Sequence, residues 1–338
     1  MRDSFRLQQD MEYVRTIWRL RDRHVKDAGR EVQHMQKALT KMNVQLANVI
    51  SDVSGLSGQA IINAILQGER DPYALADLVN YRVKASREEV ARSLEGNWRA
   101  DVLFELQQAV DSYHFAHRQM QECDDKLALY LTSLPGRTLE ITGPAKTGPE
   151  TAVQKRKKAR KPRDNEPRMD LKAELKRICG VDLTSIDGVN VMTAFTVISE
   201  VGTDMSRFQD EGHFTSWMGL APSKDISSGK VVGRGKKKVK NRVAVVLRTA
   251  ATSLLESDSY LGARYRHLRR QLPTFKAAVK AMARNLAVLI YRLLTHGQAW
   301  VDHGAAQFDR KRLERELASL HSRARANGFA LVPIAETH

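Results

Sequence analysis

Apolar residues recur along the first part of the chain in steps of three and four. Val25, Ala28, Val32, Met35, Leu39, Met42, Leu46 and Val49 follow this rhythm without a break. A 3.5-residue repeat keeps one helical stripe turned towards a partner, so the spacing predicts a long helix with a coiled-coil seam. Val14, Ile17 and Trp18 extend the seam weakly upstream, and the positions between are polar and often basic, among them Arg15, Arg19, Arg21, Arg23, Lys26 and Arg30. A second seam runs through Leu103, Leu106, Val110, Tyr113, His117, Met120, Asp124, Leu127, Leu131 and Leu134. Its two polar members, His117 and Asp124, are of the kind that fixes register at some cost in stability. His117 reads as a packed or half-exposed imidazole.

Residues 51–100 predict a small helical cap between the seams. Gly55 and Gly58 break the first helix, and Ala60 to Leu66 form a short apolar helix ended by Gly68. Asp71-Pro72 has the form of an N-cap followed by proline at the first helical position. Ser86-Arg87-Glu88-Glu89 is a capping box, in which Ser86 and Glu89 satisfy each other's end donors. The economical arrangement of residues 1–134 is an antiparallel coiled-coil hairpin with a helical tip.

Residues 135–168 change character. Pro135-Gly136, Gly143-Pro144 and Gly148-Pro149 interrupt structure, and Lys155 to Arg163 hold seven basic residues in nine with no acid. Such a block repels itself and reads as a linker, either a phosphate-touching one or a solvated tether. A second helical domain follows over 169–300, with helices at Leu171–Ile178 (closed by Gly180), Met192–Val201, Val243–Leu255 and Ala277–Leu294. The last has Ala281, Leu286, Leu289, Ile290 and Leu293 as its apolar set. Phe308–Ala326 is a charged helix within a C-terminal segment, 301–338. Lys230 to Gly233 is the one strand candidate, a possible hairpin arm. The expected fold class is mainly α.

Composition narrows the function. The 338 residues carry 55 Lys and Arg against 39 Asp and Glu, a formal charge of +16. That excess implies a polyanionic partner, nucleic acid ahead of an anionic membrane surface. The longest apolar runs, such as Leu286 to Tyr291, are far below the ~18 residues of a membrane span, and Met1 to Arg6 lack the apolar core of a signal peptide. Cys123 and Cys179 are the only cysteines. A disulfide framework and a cysteine zinc site are therefore not expected, and a reducing cytosol fits.

Two stretches offer chemistry. Ser185-Ile186-Asp187-Gly188-Val189-Asn190 joins two apolar helices, the layout of a helix-hairpin-helix that aims backbone N–H groups at a phosphate, or of an ordinary αα-turn. Gly188 and Asn190 are its candidates for positive φ. Gly219 to Arg242 is richer: from Ser228 to Arg242 there are seven basic residues (Lys230, Arg234, Lys236, Lys237, Lys238, Lys240 and Arg242) and no acid. A hydroxyl in a glycine-flexed loop beside clustered cations suits attack on a phosphodiester, since the cations stabilise charge on the phosphoryl oxygens. The same composition also describes a solvated basic loop.

The ordered series Gly219-Leu220-Ala221-Pro222, Ser227-Ser228-Gly229-Lys230, Lys240-Asn241-Arg242, Leu247-Arg248 and Ala250-Ala251 resembles the C-terminal domain of the IS-one-ten class of insertion-sequence transposases, the RNA-guided DEDD enzymes. Ile186 to Ala194, Ala283-Arg284-Asn285-Leu286, Gln33 to Leu39 and Gly68 to Pro72 resemble other segments of that family. The resemblance implies a cytoplasmic, prokaryotic, DNA-associated recombinase that joins a serine to the scissile phosphate. It implies Ser227 as nucleophile, five residues on from Pro222, with Ser228 as fallback. Gly188, Asn190, Lys230, Arg234, Lys236, Lys237, Lys238, Lys240, Arg242 and Arg248 are the implied nucleic-acid contacts. The implied partners are DNA and a structured guide RNA; the coiled-coil seams themselves imply self-association, most simply a homodimer. This chain departs from the family at Asn190 and Lys240, where glycines are usual.

Family members begin with a RuvC-like sheet whose acids bind divalent metal. Residues 1–134 show heptads instead, and Asp3, Asp10, Glu12 and Asp22 lie on or before one helix. The chain is therefore expected to lack that domain and to bind no cofactor itself, with Mg belonging to the missing part. The expected function is a truncated DNA transposase; the alternatives are a catalytically inactive nucleic-acid-binding remnant or regulator, and a structural coiled coil on membranes.

Overall fold

A computed structural model describes residues 9–139, 165–222, 225–227, 230–233, 241–297 and 304–332. The protein is mainly α, with thirteen α-helices, one 3-10 turn and one two-stranded antiparallel ribbon among the described residues. The described residues of Thr16–Tyr130 and Pro162–Arg168 form one compact unit, and those of Met1–Arg15, Leu131–Lys161 and Met169–His338 the other.

The first unit is built on α1 (Gln9–Lys41) from Thr16 onward and on α6 (Ala100–Ser133) up to Tyr130; the outer ends of both helices belong to the second unit. The two run antiparallel, because Lys41 reaches Glu105 at 2.6 Å while Arg21 reaches Asp124. The seam residues Ala28, Met35 and Leu39 of α1 are buried, as are Leu106, Val110, Tyr113 and Met120 of α6. The heptad pattern overran the first helix. Asn43 takes a left-handed φ of 63°, so α1 stops at Lys41 and Leu46 opens a separate short helix, α2 (Leu46–Val49). The backbone is tied back at this break, Gln45 donating to Ser93 O at 2.7 Å and Asn97 to Met42 O at 2.8 Å.

Three short helices complete the unit: α3 (Leu56–Leu66), α4 (Pro72–Ala76) and α5 (Arg87–Ser93). Their apolar faces, including Ile61, Ile62, Ile65, Leu75, Val90 and Leu94, join one core with α1 and α6. Each fully buried Ile or Leu of this set contributes about 1.5–3 kcal/mol. Asp71 accepts from Tyr73 N at 3.0 Å, and the Ser86–Glu89 capping box is complete. Gly58 does not break a helix. It lies inside α3, where an added Cβ would fall 2.1 Å from Val53 O, so only glycine lets the loop pack there.

The second unit contains α7 (Leu171–Cys179), α8 (Val191–Val201), α9 (Glu211–Trp217), α10 (Arg242–Thr252), α11 (Tyr260–Gln271), α12 (Phe275–His296) and α13 (Gly304–Ala326). Helix α12 is its spine and packs against α9, α10 and α11; α10 also packs on α8, and α13 on α11. The inner face of α12 is Ala278, Met282, Ala283, Leu286, Ala287, Ile290 and Leu294. Ala281 and Leu289, which the spacing assigned to it, are only half-buried at its margins. Helix α9 docks through Phe214, whose ring stands 5.6 Å from that of Tyr291, and through a bidentate pair from Arg292 to Glu211 at 2.6 and 2.9 Å. Arg177 of α7 donates to Leu134 O at 2.6 Å and Leu131 O at 2.5 Å, satisfying carbonyls that the end of α6 leaves open.

Candidate nucleic-acid interface

The turn between α7 and α8 is built from side-chain caps. The Asp182 side chain accepts from Thr184 N at 2.9 Å and Thr184 Oγ1 at 2.6 Å, opening a 3-10 turn, Leu183–Ser185. Partial burial pushes the Asp182 carboxyl up, but the Thr184 hydrogen bonds and nearby Lys172 outweigh it, and the net shift is below the ordinary carboxylate range. Leu183 and Ile186 are buried beneath the turn. Gly188 takes a φ of 82°. A Cβ there would meet Ala250 O and Leu254 Cγ at 3.0 Å, so the glycine also serves close packing against α10 and the turn that follows it. Asn190 differs from the expectation of positive φ. Its φ is −87°, and its side chain caps α8 by accepting from Thr193 N at 2.8 Å. Asparagine is a strong N-cap, and that role requires an extended backbone.

The serine stretch forms a ribbon. Strand β1 (Asp225–Ser227) pairs antiparallel with β2 (Lys230–Gly233), and the register sets Ser227 opposite Lys230. The hairpin arm at Lys230 to Gly233 is thus present. Its partner strand carries no alternating pattern, Ile226 being the only apolar residue in three. A bulge between Asp225 and Ile226 lets Ile226 pair with Val231 while Asp225 pairs with Gly233. Ser227 therefore ends one strand, at the tip of a ribbon held by backbone hydrogen bonds. Ser228, Arg234, Lys236, Lys237, Lys238 and Lys240 lie outside the described residues.

Beyond that stretch Asn241 opens α10, accepting from Val243 N at 2.9 Å and Ala244 N at 3.3 Å. This cap is legible as Asn preceding an apolar-periodic run. Val243, Ala244, Leu247, Ala250 and Ala251 are buried. Val245 and Thr249 form the exposed stripe on the opposite side, and Arg242 and Arg248 are both half-buried at its edge.

Other candidate chemistry is absent from the described residues. The Cys179 thiol is driven up to about 12 by burial, and burial raises that of Cys123, so neither is a ready nucleophile. Among the described residues no three His, Cys, Asp or Glu converge to hold a metal ion. Asp10 and Asp22 sit along one helix, and Asp22 is paired with Lys26 at 2.7 Å. These residues do not fit a metal centre. Among the described residues no helix is long and apolar enough to cross a membrane.

The capped turn, the ribbon and α10 fall within a single stretch of known kind. Residues 182–266 match the family model of the transposase IS116/IS110/IS902 family. The match spans about a quarter of the chain, from the Asp182 cap into α11, and is consistent with a C-terminal part of such a transposase. No curated protein and no solved structure matches the chain. The IS116/IS110/IS902 segment supports a transposase-type function in the DNA recombinase class, with DNA as partner.

Proposed function

We propose that this protein recombines DNA through a serine nucleophile, Ser227, and that the observation carrying the reading is the position of that residue in the family-matched segment. Ser227 ends β1 opposite the basic residue Lys230, at the start of a stretch with seven basic residues and no acid. In the proposed step Ser227 Oγ attacks the scissile phosphorus. One P–O bond forms as another breaks, and the proton lost by the hydroxyl is balanced by one gained at the departing sugar oxygen. The phosphodiester is conserved as a protein–DNA ester, so rejoining needs no nucleotide triphosphate. Lys230, Arg234, Lys236, Lys237, Lys238, Lys240, Arg242 and Arg248 supply positive charge to the phosphoryl oxygens and the flanking strand. The turn at Gly188 and the start of α8 at Asn190 form a second contact with the DNA backbone.

The finer parts of the reading are a structured guide RNA as second polyanion and self-association, which has to use faces other than the seams of α1 and α6, since these are buried within the chain. The test is capture of a covalent protein–DNA adduct on a nicked substrate, with the metal-binding domain of such a transposase and Mg supplied in trans. The adduct forms with the parent chain and is lost in Ser227→Ala. An adduct that survives Ser227→Ala and is lost in Ser228→Ala moves the role by one residue. No adduct with any chain, at retained DNA affinity, leaves a nucleic-acid-binding protein without this chemistry.

A further inference from the structure

The first unit contains a polar cleft of about 330 Å³ between α1, α6 and residues 165–168. Its floor is the ion pair of Arg21 and Asp124, both buried, with Arg21 Nη2 on Asp124 Oδ2 at 3.1 Å. Arg21 also donates to Asn165 O at 3.0 Å, which fastens the 165–168 segment against the two helices. The Asp124 charge is thus neutralised within the floor. The walls carry Arg118 from α6 and Arg168 from the returning segment. Neither forms an ion pair among the described residues. Arg118 is oriented by the Phe115 ring at 5.7 Å, a contact that leaves its charge in place. His117 leans on Tyr113 with ring centroids 4.3 Å apart, and Glu166 is the one further carboxylate in the lining.

Arg118 and Arg168, fifty residues apart in sequence, outnumber the one further carboxylate of the lining, Glu166, so the cleft carries excess positive charge that an anion would offset. A guanidinium presents a fork of N–H donors that matches phosphate geometry, and the cleft is large enough for a phosphate with part of its sugar. The run of seven basic residues from Lys155 to Arg163 ends just before this segment in the sequence. We infer that the cleft holds a backbone phosphate of a nucleic acid, gripped by Arg118 and Arg168. None of these residues lies in the family-matched segment, so the contact is additional to the serine site and does not depend on it.

The test is fluorescence anisotropy of the full chain with labelled single-stranded RNA and duplex DNA oligonucleotides across a salt series, with inorganic phosphate and a mononucleotide titrated separately. Arg118→Ala/Arg168→Ala is expected to weaken oligonucleotide binding about tenfold. It also lowers the steepness of log affinity against log salt by about one, the share of one phosphate. Arg118→Lys/Arg168→Lys keeps that steepness. Both positions are exposed, and an unchanged melting temperature separates loss of contact from loss of fold. Unaltered oligonucleotide affinity and salt dependence in the alanine pair overturn the inference. So does loss of mononucleotide binding alone, which would make the cleft a site for a free phosphate compound. Ser227→Ala removes the adduct and leaves this binding term untouched, so the two readings fail separately.

Discussion

At the scale of single residues, the polar members of the second seam proved the most informative. Asp124 sits where the heptad calls for an apolar side chain, and the fold answers with the Arg21 fork at 2.5 and 3.1 Å. Removing one member leaves the other charge buried and unpaired. Asp124→Ala is therefore expected to cost about 3–5 kcal/mol in urea unfolding, while Arg21→Met/Asp124→Leu restores most of that loss. The Arg292–Glu211 pair is weaker, since both side chains are more than a third exposed. The Arg292 hydrogen bond holds the Glu211 carboxyl below its ordinary 4.5. A depressed carboxyl stabilises the fold above that value, and the contribution fades as the pH falls through the folded-state value. Glu211→Gln should thus lose about 0.5–1 kcal/mol at pH 7, a difference that shrinks in denaturation series run below pH 4.5.

At the scale of elements, the parts that local chemistry writes were legible. The Asp71 cap, the Ser86–Glu89 box and the Gly180 helix end all stand where their residue types placed them. What escaped were features set by distant neighbours or by one backbone angle. The periodicity of α1 gave no hint that Asn43 would turn left-handed and end it, because the apolar rhythm runs on through Met42 in the turn and Leu46 in α2. Strand β1 is three residues long and gains its form only by pairing with β2. The cleft walls, Arg118 and Arg168, meet through folding and leave no local trace. Gly188 shows both kinds of information: its type suggested positive φ, whereas its packing on Ala250 and Leu254 was hidden. Gly188→Ala should lower stability by about 1–2 kcal/mol from the left-handed backbone alone, more with the close contact, as read from the melting temperature.

At the scale of the whole molecule, the +16 charge pointed to a polyanion before any element was known, and the family match supports DNA as that partner. Charge alone does not separate a binder from an enzyme; a single hydroxyl does. The most direct measurement is tandem mass spectrometry of the trapped protein–DNA adduct after nuclease and protease digestion. The proposed mechanism predicts a nucleotide remnant esterified to Ser227 in the peptide that crosses the β1–β2 ribbon. A remnant on another side chain, or an adduct-free digest from a chain that binds the substrate DNA fully, would contradict it.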